Sequence, residues 1–408
     1  IVNKAGALIE GFYGIVARND SQLNGNISNS GTINGTEQSG IELRKETMYG
    51  GSASTMTGNI VNSASGLISG DRYGFRISGD DGQAALLTGS ITNSGTLTGG
   101  NYGVAVYTNA TVTGKISNLT GGVIHGGFAG FDIYEGSTVA GGISNAGTID
   151  AGQIGVYIDW GGVVQGGIDN TGIIRTTAGN AYGAIVLSSN STVSAINNRA
   201  GGTISGNHGI VMFAGADANL GAITNAGTIR GVGKSLNLAN TAHAFQIQNT
   251  GTLTGDAAIG INTLNLNGNT GRLTGNLVTA ASGTVNVNGT LTSEGTFNAG
   301  TFNIASGGRF NMAHAVTAGA GKFNNSGTIA VANGFTAQLS GDYIQSAGAI
   351  LRTRLVDATS NYGKLAVSGD VTLAPETGIF VDVVGKPVLA AQARVNDVIT
   401  AGGTLTRA

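Results

Sequence analysis

The chain reads as an all-β protein, a right-handed parallel β-helix (β-solenoid) with three strands per coil. Three observations predict this: a phrase repeated ten times, the spacing of its copies, and short apolar alternations with no room for a helix. The phrase is an apolar residue, any residue, Asn, a short polar stretch, then Gly-Thr-Ile or a close variant, as in Ile27-Ser28-Asn29-Ser30-Gly31-Thr32-Ile33. Its Asn falls at Asn3, Asn29, Asn62, Asn93, Asn118, Asn145, Asn170, Asn198, Asn225 and Asn249, at steps of 24 to 33 residues. Such a period marks a solenoid, in which each unit buries its apolar face against its neighbours.

Each period holds three alternating segments. The first runs into the Asn, as in Val139-Ala140-Gly141-Gly142-Ile143-Ser144-Asn145; the second is Gly147-Thr148-Ile149; the third follows a glycine, as in Gly155-Val156-Tyr157-Ile158. Alternation over three to six residues, bounded by Gly, Asn, Ser and Thr, reads as strand and turn. A left-handed hexapeptide helix needs a stricter coil, and the Gly-Gly-x-Gly-x-Asp pattern of calcium-binding nonapeptide repeats is absent.

Stacking the copies predicts two internal ladders. One is Ile27, Ile60, Ile91, Ile116, Ile143, Ile168, Ile196 and Ile223; the other is Ile33, Ile68, Leu97, Ile124, Ile149, Ile174, Ile204 and Ile229. The recurrent Asn, at Asn29, Asn62, Asn93, Asn118, Asn145, Asn170 and Asn225 among others, is assigned a structural role. It tolerates a corner backbone and passes side-chain hydrogen bonds from coil to coil. Beyond Gly251 the phrase loosens, but Leu264-Asn265-Leu266, Val285-Asn286-Val287 and Phe302-Asn303-Ile304 still alternate. The reading places β-helix repeats over 1–339 and a C-terminal cap over 340–408.

Composition agrees. The 408 residues include 72 Gly, only 2 Pro and 10% charged residues, while 40% hydrophobic content is enough to bury a core. A net charge of −2 provides no footprint for nucleic acid. Zero cysteines exclude disulfides and thiolate chemistry; they also suit a chain that crosses an oxidising compartment unfolded. Ile1-Val2-Asn3 starts within a repeat, so the chain reads as a fragment.

The stretch from Tyr343 to Leu373 resembles the C-terminal junction of type V autotransporter passenger domains, the pertactin-like family. The matching positions are Tyr343, Gln345, Leu351, Leu365, Val367, Gly369 and Leu373. The resemblance implies a bacterial passenger exported through the outer membrane and displayed or released at the cell surface. It further implies that 340–408 acts as an autochaperone-like cap, and that the family's C-terminal translocator barrel is not part of this sequence.

Catalytic signatures are missing: there is no Gly-x-Ser-x-Gly elbow, no Gly-Asp-Ser-Gly and no His-Glu-x-x-His. His125, His208, His243 and His314 fall in different coils and read as strand or turn residues. No cofactor and no metal are expected. Gly79-Asp80-Asp81-Gly82 offers two carboxylates, fewer ligands than calcium usually takes.

The third strand carries two predicted outward columns. One is Glu42, Arg76, Ala105, Asp132, Tyr157, Ile185 and Val211; the next is Arg44, Ser78, Tyr107, Tyr134, Asp159, Leu187 and Phe213. Tyr107, Tyr134, Tyr157, Trp160 and Phe213 make a partly aromatic strip beside Asp132 and Asp159, an arrangement suited to anchoring a partner or a sugar. The carboxylate pair also suits glycoside hydrolysis in principle. Ten of the 42 charged residues fall between Glu37 and Asp81, where long repeats predict protruding loops. The leading expectation is a non-enzymatic adhesin or self-association rod that meets a host cell surface, a glycan or a like molecule on a neighbouring cell. A spacer for an upstream catalytic or toxic domain and a glycan-processing enzyme are the alternatives.

Overall fold

A computed structural model describes residues 1–45, 52–80, 82–177, 179, 181–213, 215, 217–268, 272–292, 294–319, 321–356, 361–385 and 394–407. Every regular element among them is a β-strand, and the chain divides into two compact units, Ile1–His243 and Ala244–Ala408.

The first unit is a right-handed parallel β-helix. One coil runs Ile116–Asn118, Val123–Gly126, Ala129–Tyr134 and Thr138–Val139, and the next begins at Ile143–Asn145. Equivalent strands of successive coils pair in parallel and in register. Three sheets result: an asparagine sheet, a broad sheet of two consecutive segments per coil, and a narrow sheet. The segment read as one alternation from Val139 to Asn145 is therefore two strands, divided at a corner where Gly142 takes φ +79°. That corner needs glycine, because its φ is left-handed and a β-carbon would stand 2.7 Å from the Gly167 carbonyl oxygen of the next coil.

Both predicted ladders form the core. Ile27, Ile60, Ile91 and Ile116 pair directly, and all are at most 1% exposed. Ile33, Ile68, Leu97 and Ile124 do the same one sheet further on. Burying a single isoleucine is worth about 1.5–3 kcal/mol, so stacking the same residue coil after coil makes the repeat its own core.

The asparagines stack as well. Asn93 Nδ2 donates to Asn118 Oδ1 at 2.8 Å, Asn118 to Asn145 at 2.9 Å, and Asn145 to Asn170 at 2.8 Å. Asn118 Nδ2 also reaches the carbonyls of Gly122 and Thr148 at 3.1 Å each. This satisfies buried backbone acceptors that water cannot reach. It also explains the glycine of Gly-Thr-Ile: a β-carbon on Gly147 would lie 2.2 Å from Gly122 O and 2.7 Å from Asn118 Nδ2.

The second unit repeats the architecture with aromatic filling. Ile247, Leu264, Val285, Phe302, Phe323, Tyr343, Val371 and Leu405 pair in one register column. The boundary drawn at 339/340 is not where the structure divides. Strands Tyr343–Gln345 and Lys364–Val367 extend the ladders of Phe323–Asn325 and Thr336–Ser340 without interruption. The junction residues are core: Tyr343, Gln345, Leu351 and Leu365 are at most 1% exposed. Gln345 pairs with Asn325 in register, and its amide donates to Ala349 O and Gly378 O at 3.0 and 3.1 Å. It thus does at this corner what asparagine does in the first unit.

Candidate functional site

The second segment of the broad sheet carries the predicted strip on its outer face. Parallel register sets Glu42, Arg76, Ala105, Asp132, Tyr157 and Val186 in one column. Here the sequence reading slips by one residue. Ile185 and Leu187 belong to the interior columns of Val156 and Ile158, while Val186 takes the outer position. The 28-residue step from Asn170 to Asn198 adds chain before Gly183, and a shift of one residue reverses every side chain of a strand.

This outer face is covered rather than open. Ala105, Glu42, Asp132 and Val186 are at most 4% exposed, and Ala129, Ile154, Val186 and Val211 form a small apolar cluster beneath Tyr102, Phe128, Tyr157 and Phe213. Over it runs a relay of rings. Tyr73 stacks on Tyr102 at 5.5 Å, Tyr102 meets Tyr107 at 5.8 Å and Phe128 at 5.7 Å, Tyr107 meets Tyr134 at 5.6 Å, and Tyr134 meets Trp160 at 6.3 Å. Offset and edge-on pairs at these separations are favourable beyond their buried area. Phe213 stands apart from this relay and pairs with Tyr182 at 5.8 Å.

Between the rings lies a depression of about 440 Å³ lined by Arg72, Tyr102, Tyr107, Phe128, Asp132 and Tyr157, among others. Its two carboxylates differ in partnership. Asp159 accepts the Tyr157 hydroxyl at 2.7 Å on Oδ2 and the Trp160 amide at 2.8 Å on Oδ1. Asp132 accepts the Tyr107 hydroxyl at 2.5 Å on Oδ2, but its buried Oδ1 has no hydrogen-bond partner among the described residues. Burial disfavours the charged form and raises the Asp132 pKa to about 7; the Tyr107 hydrogen bond opposes the rise and the nearby Asp159 charge adds to it. The Tyr107 and Tyr157 hydroxyls are likewise pushed up, first by burial and then by their carboxylate neighbours.

At one end Glu42 takes the Ser39 hydroxyl at 2.5 Å and forms ion pairs with Arg44 and Arg76 at 3.3 and 3.5 Å. Arg76 in turn lies 4.9 Å from the Tyr73 ring centroid and 5.7 Å from that of Tyr107. At the other end Trp160 is 62% exposed and holds φ +46°, a left-handed conformation costly for a bulky residue. The same left-handed turn recurs at Thr108 and Glu135 in the two preceding coils, at φ +50° and +54°, so it belongs to the coil as well as to the indole.

No protein-family model matches the chain, and no curated protein matches it in sequence.

Sequence reasoning missed Tyr73, Tyr102, Phe128 and Tyr182. Their signal was present: each follows a glycine-bearing turn and opens or just precedes the second broad-sheet segment. The histidines do not converge. His125 faces Asp150 at 3.8 Å, His208 accepts the Lys234 amide at 3.1 Å, and His314 packs beside Phe297. Burial depresses the pKa of both His208 and His314. Among the described residues no cluster of three or more His, Asp or Glu is placed to hold a metal ion. Of the charged region, most of the Arg44–Ser54 insertion and Asp81 lie outside the described residues, while Asp80 and Gln83 close a tight turn through paired backbone hydrogen bonds of 3.0 Å.

Proposed function

We propose that the protein is a non-enzymatic adhesion rod that holds a glycan, or the surface of a partner, along the ring-lined depression of the first unit. The observation that carries this reading is the relay from Tyr73 to Trp160, whose rings line a long shallow site and end on an exposed indole. Aromatic faces beside hydrogen-bonding groups suit the apolar faces and hydroxyls of sugars. Asp159, with both oxygens engaged, is a positioning group for Tyr157 and Trp160 rather than a base. Exposure at a bacterial cell surface, by passage through the outer membrane, fits this role and rests on the junction resemblance at Tyr343–Leu373.

A double variant, Tyr134→Ala with Trp160→Gly, tests the proposal. Glycine relieves the left-handed strain at 160, so the circular-dichroism spectrum and melting point should hold while glycan-array binding or aggregation of displaying cells is lost. Retention of both binding activities with the fold intact would overturn the groove as the adhesive site and favour a spacer. Release of reducing ends from a bound glycan, abolished by Asp132→Asn, would instead favour glycan processing.

A further inference from the structure

A second site lies in the other unit, independent of the ring groove. Strands Thr290–Thr292, Arg309–Met312, Thr328–Val331, Ile350–Leu355 and Gly378–Val383 stack in parallel as one sheet. Their outer register column reads Thr292, Asn311, Ala330, Arg352 and Phe380. Alanine at 330 interrupts a column of long side chains and leaves a notch of about 340 Å³, to which Ala313 and Ala332 also contribute. That volume falls at the lower end of small-molecule sites, about 300–1,000 Å³.

The walls of the notch are cationic and partly ordered. Asn311 donates to Thr292 Oγ1 at 2.9 Å and accepts from Arg309 Nε at 2.9 Å, which fixes the direction of the Arg309 guanidinium. Across the alanine floor, Arg352 Nε is 3.1 Å from Asp382 Oδ2, and its guanidinium lies 6.0 Å from the Phe380 ring centroid. Arg354 lines the same wall. Three guanidiniums thus face one carboxylate: Asp382 pairs with Arg352 and stands opposite Arg354 in the register, and among the described residues neither Arg309 nor Arg354 is within 4.0 Å of a carboxylate oxygen. Guanidinium forks match the planar oxygens of a carboxylate, and stacked or ordered arginines lose little entropy on binding one.

We propose that this notch binds an oxyanion-bearing saccharide unit, with Arg309 and Arg354 receiving the anionic group and the alanine floor receiving the sugar ring. The probes are methyl β-D-glucuronide, methyl β-D-glucoside and sodium sulfate, titrated into the full chain and followed by NMR chemical shifts. The glucuronide should bind at least tenfold tighter than the glucoside, and sulfate should compete with it more weakly than unlabelled glucuronide does. Arg354→Gln, an exposed change that leaves the core untouched, should weaken glucuronide at least tenfold, and Ala330→Leu should abolish binding by filling the notch. Equal binding of glucoside and glucuronide, or no loss in either variant, would overturn the proposal. Sulfate binding as tight as glucuronide would overturn the role given to the alanine floor and leave a simple anion site.

Discussion

Tyr107 and Asp132, one coil apart, share a 2.5 Å hydrogen bond beneath a layer of rings, with Asp132 Oδ1 left unpartnered. The pairing supports the relay, since it holds the Tyr107 ring edge-on to both Tyr102 and Tyr134. It also loads the fold with a carboxyl group that prefers its proton.

That preference predicts a pH dependence. An acid whose folded pKa is raised to about 7, against about 3.9 in the unfolded chain, keeps its proton longer in the native state. The stabilisation is therefore complete below about pH 4 and is lost as pH rises through about 7, an effect on the order of 4 kcal/mol at most. Denaturant melts of the wild type should show stability falling between about pH 4 and pH 7 and levelling off above that. In Asp132→Asn this part of the slope should vanish; an unchanged slope would count against the assignment.

The asparagine ladder should be costly to break at any rung. Asn118→Ala removes the acceptor for Asn93 and the donor to Asn145, and strands the carbonyls of Gly122 and Thr148. A loss of at least ~2 kcal/mol is expected from unmet buried groups. Asn34→Ala, whose amide bonds Glu10 on the exposed face, should stay within about 0.5 kcal/mol. Urea midpoints of the two variants check the contrast.

In the second unit, Tyr343 joins Asn325 and Gln345 inside the core, accepting from the first at 3.0 Å and donating to the second at 2.8 Å. Tyr343→Phe should cost about 1–3 kcal/mol because both amides lose a buried partner. Deleting 340–408 goes further, since it bares the Phe323–Asn325 edge that pairs with Tyr343–Gln345. Refolding yield and solubility should fall; normal refolding of the shortened chain would show that the segment is dispensable as a cap.

The repeat was sufficient to specify the β-helix, because identical residues at a near-constant spacing can bury themselves only by stacking on their own copies. Ile27 on Ile60 and Asn93 on Asn118 follow from that logic without any long-range information. Tyr107 and Tyr134 follow Leu97 and Ile124 by the same ten residues, so their common position was legible for the same reason, whereas Tyr157 and Trp160 fall at other offsets after Ile149. Three things needed the folded chain. Where the copies differ in length, as before Gly183, register is set by backbone pairing, so Val186 rather than Ile185 joined the outer column. The depth of the outer face came from rings at the starts of neighbouring segments, Tyr102 and Phe128 among them, which line one depression with Asp132, a nominally outward residue that is only 4% exposed. The arginine notch was invisible because its members come from coils where the phrase has dissolved. A column read across strands, Asn311, Ala330, Arg352, acquires meaning only once hydrogen bonds between coils have aligned it.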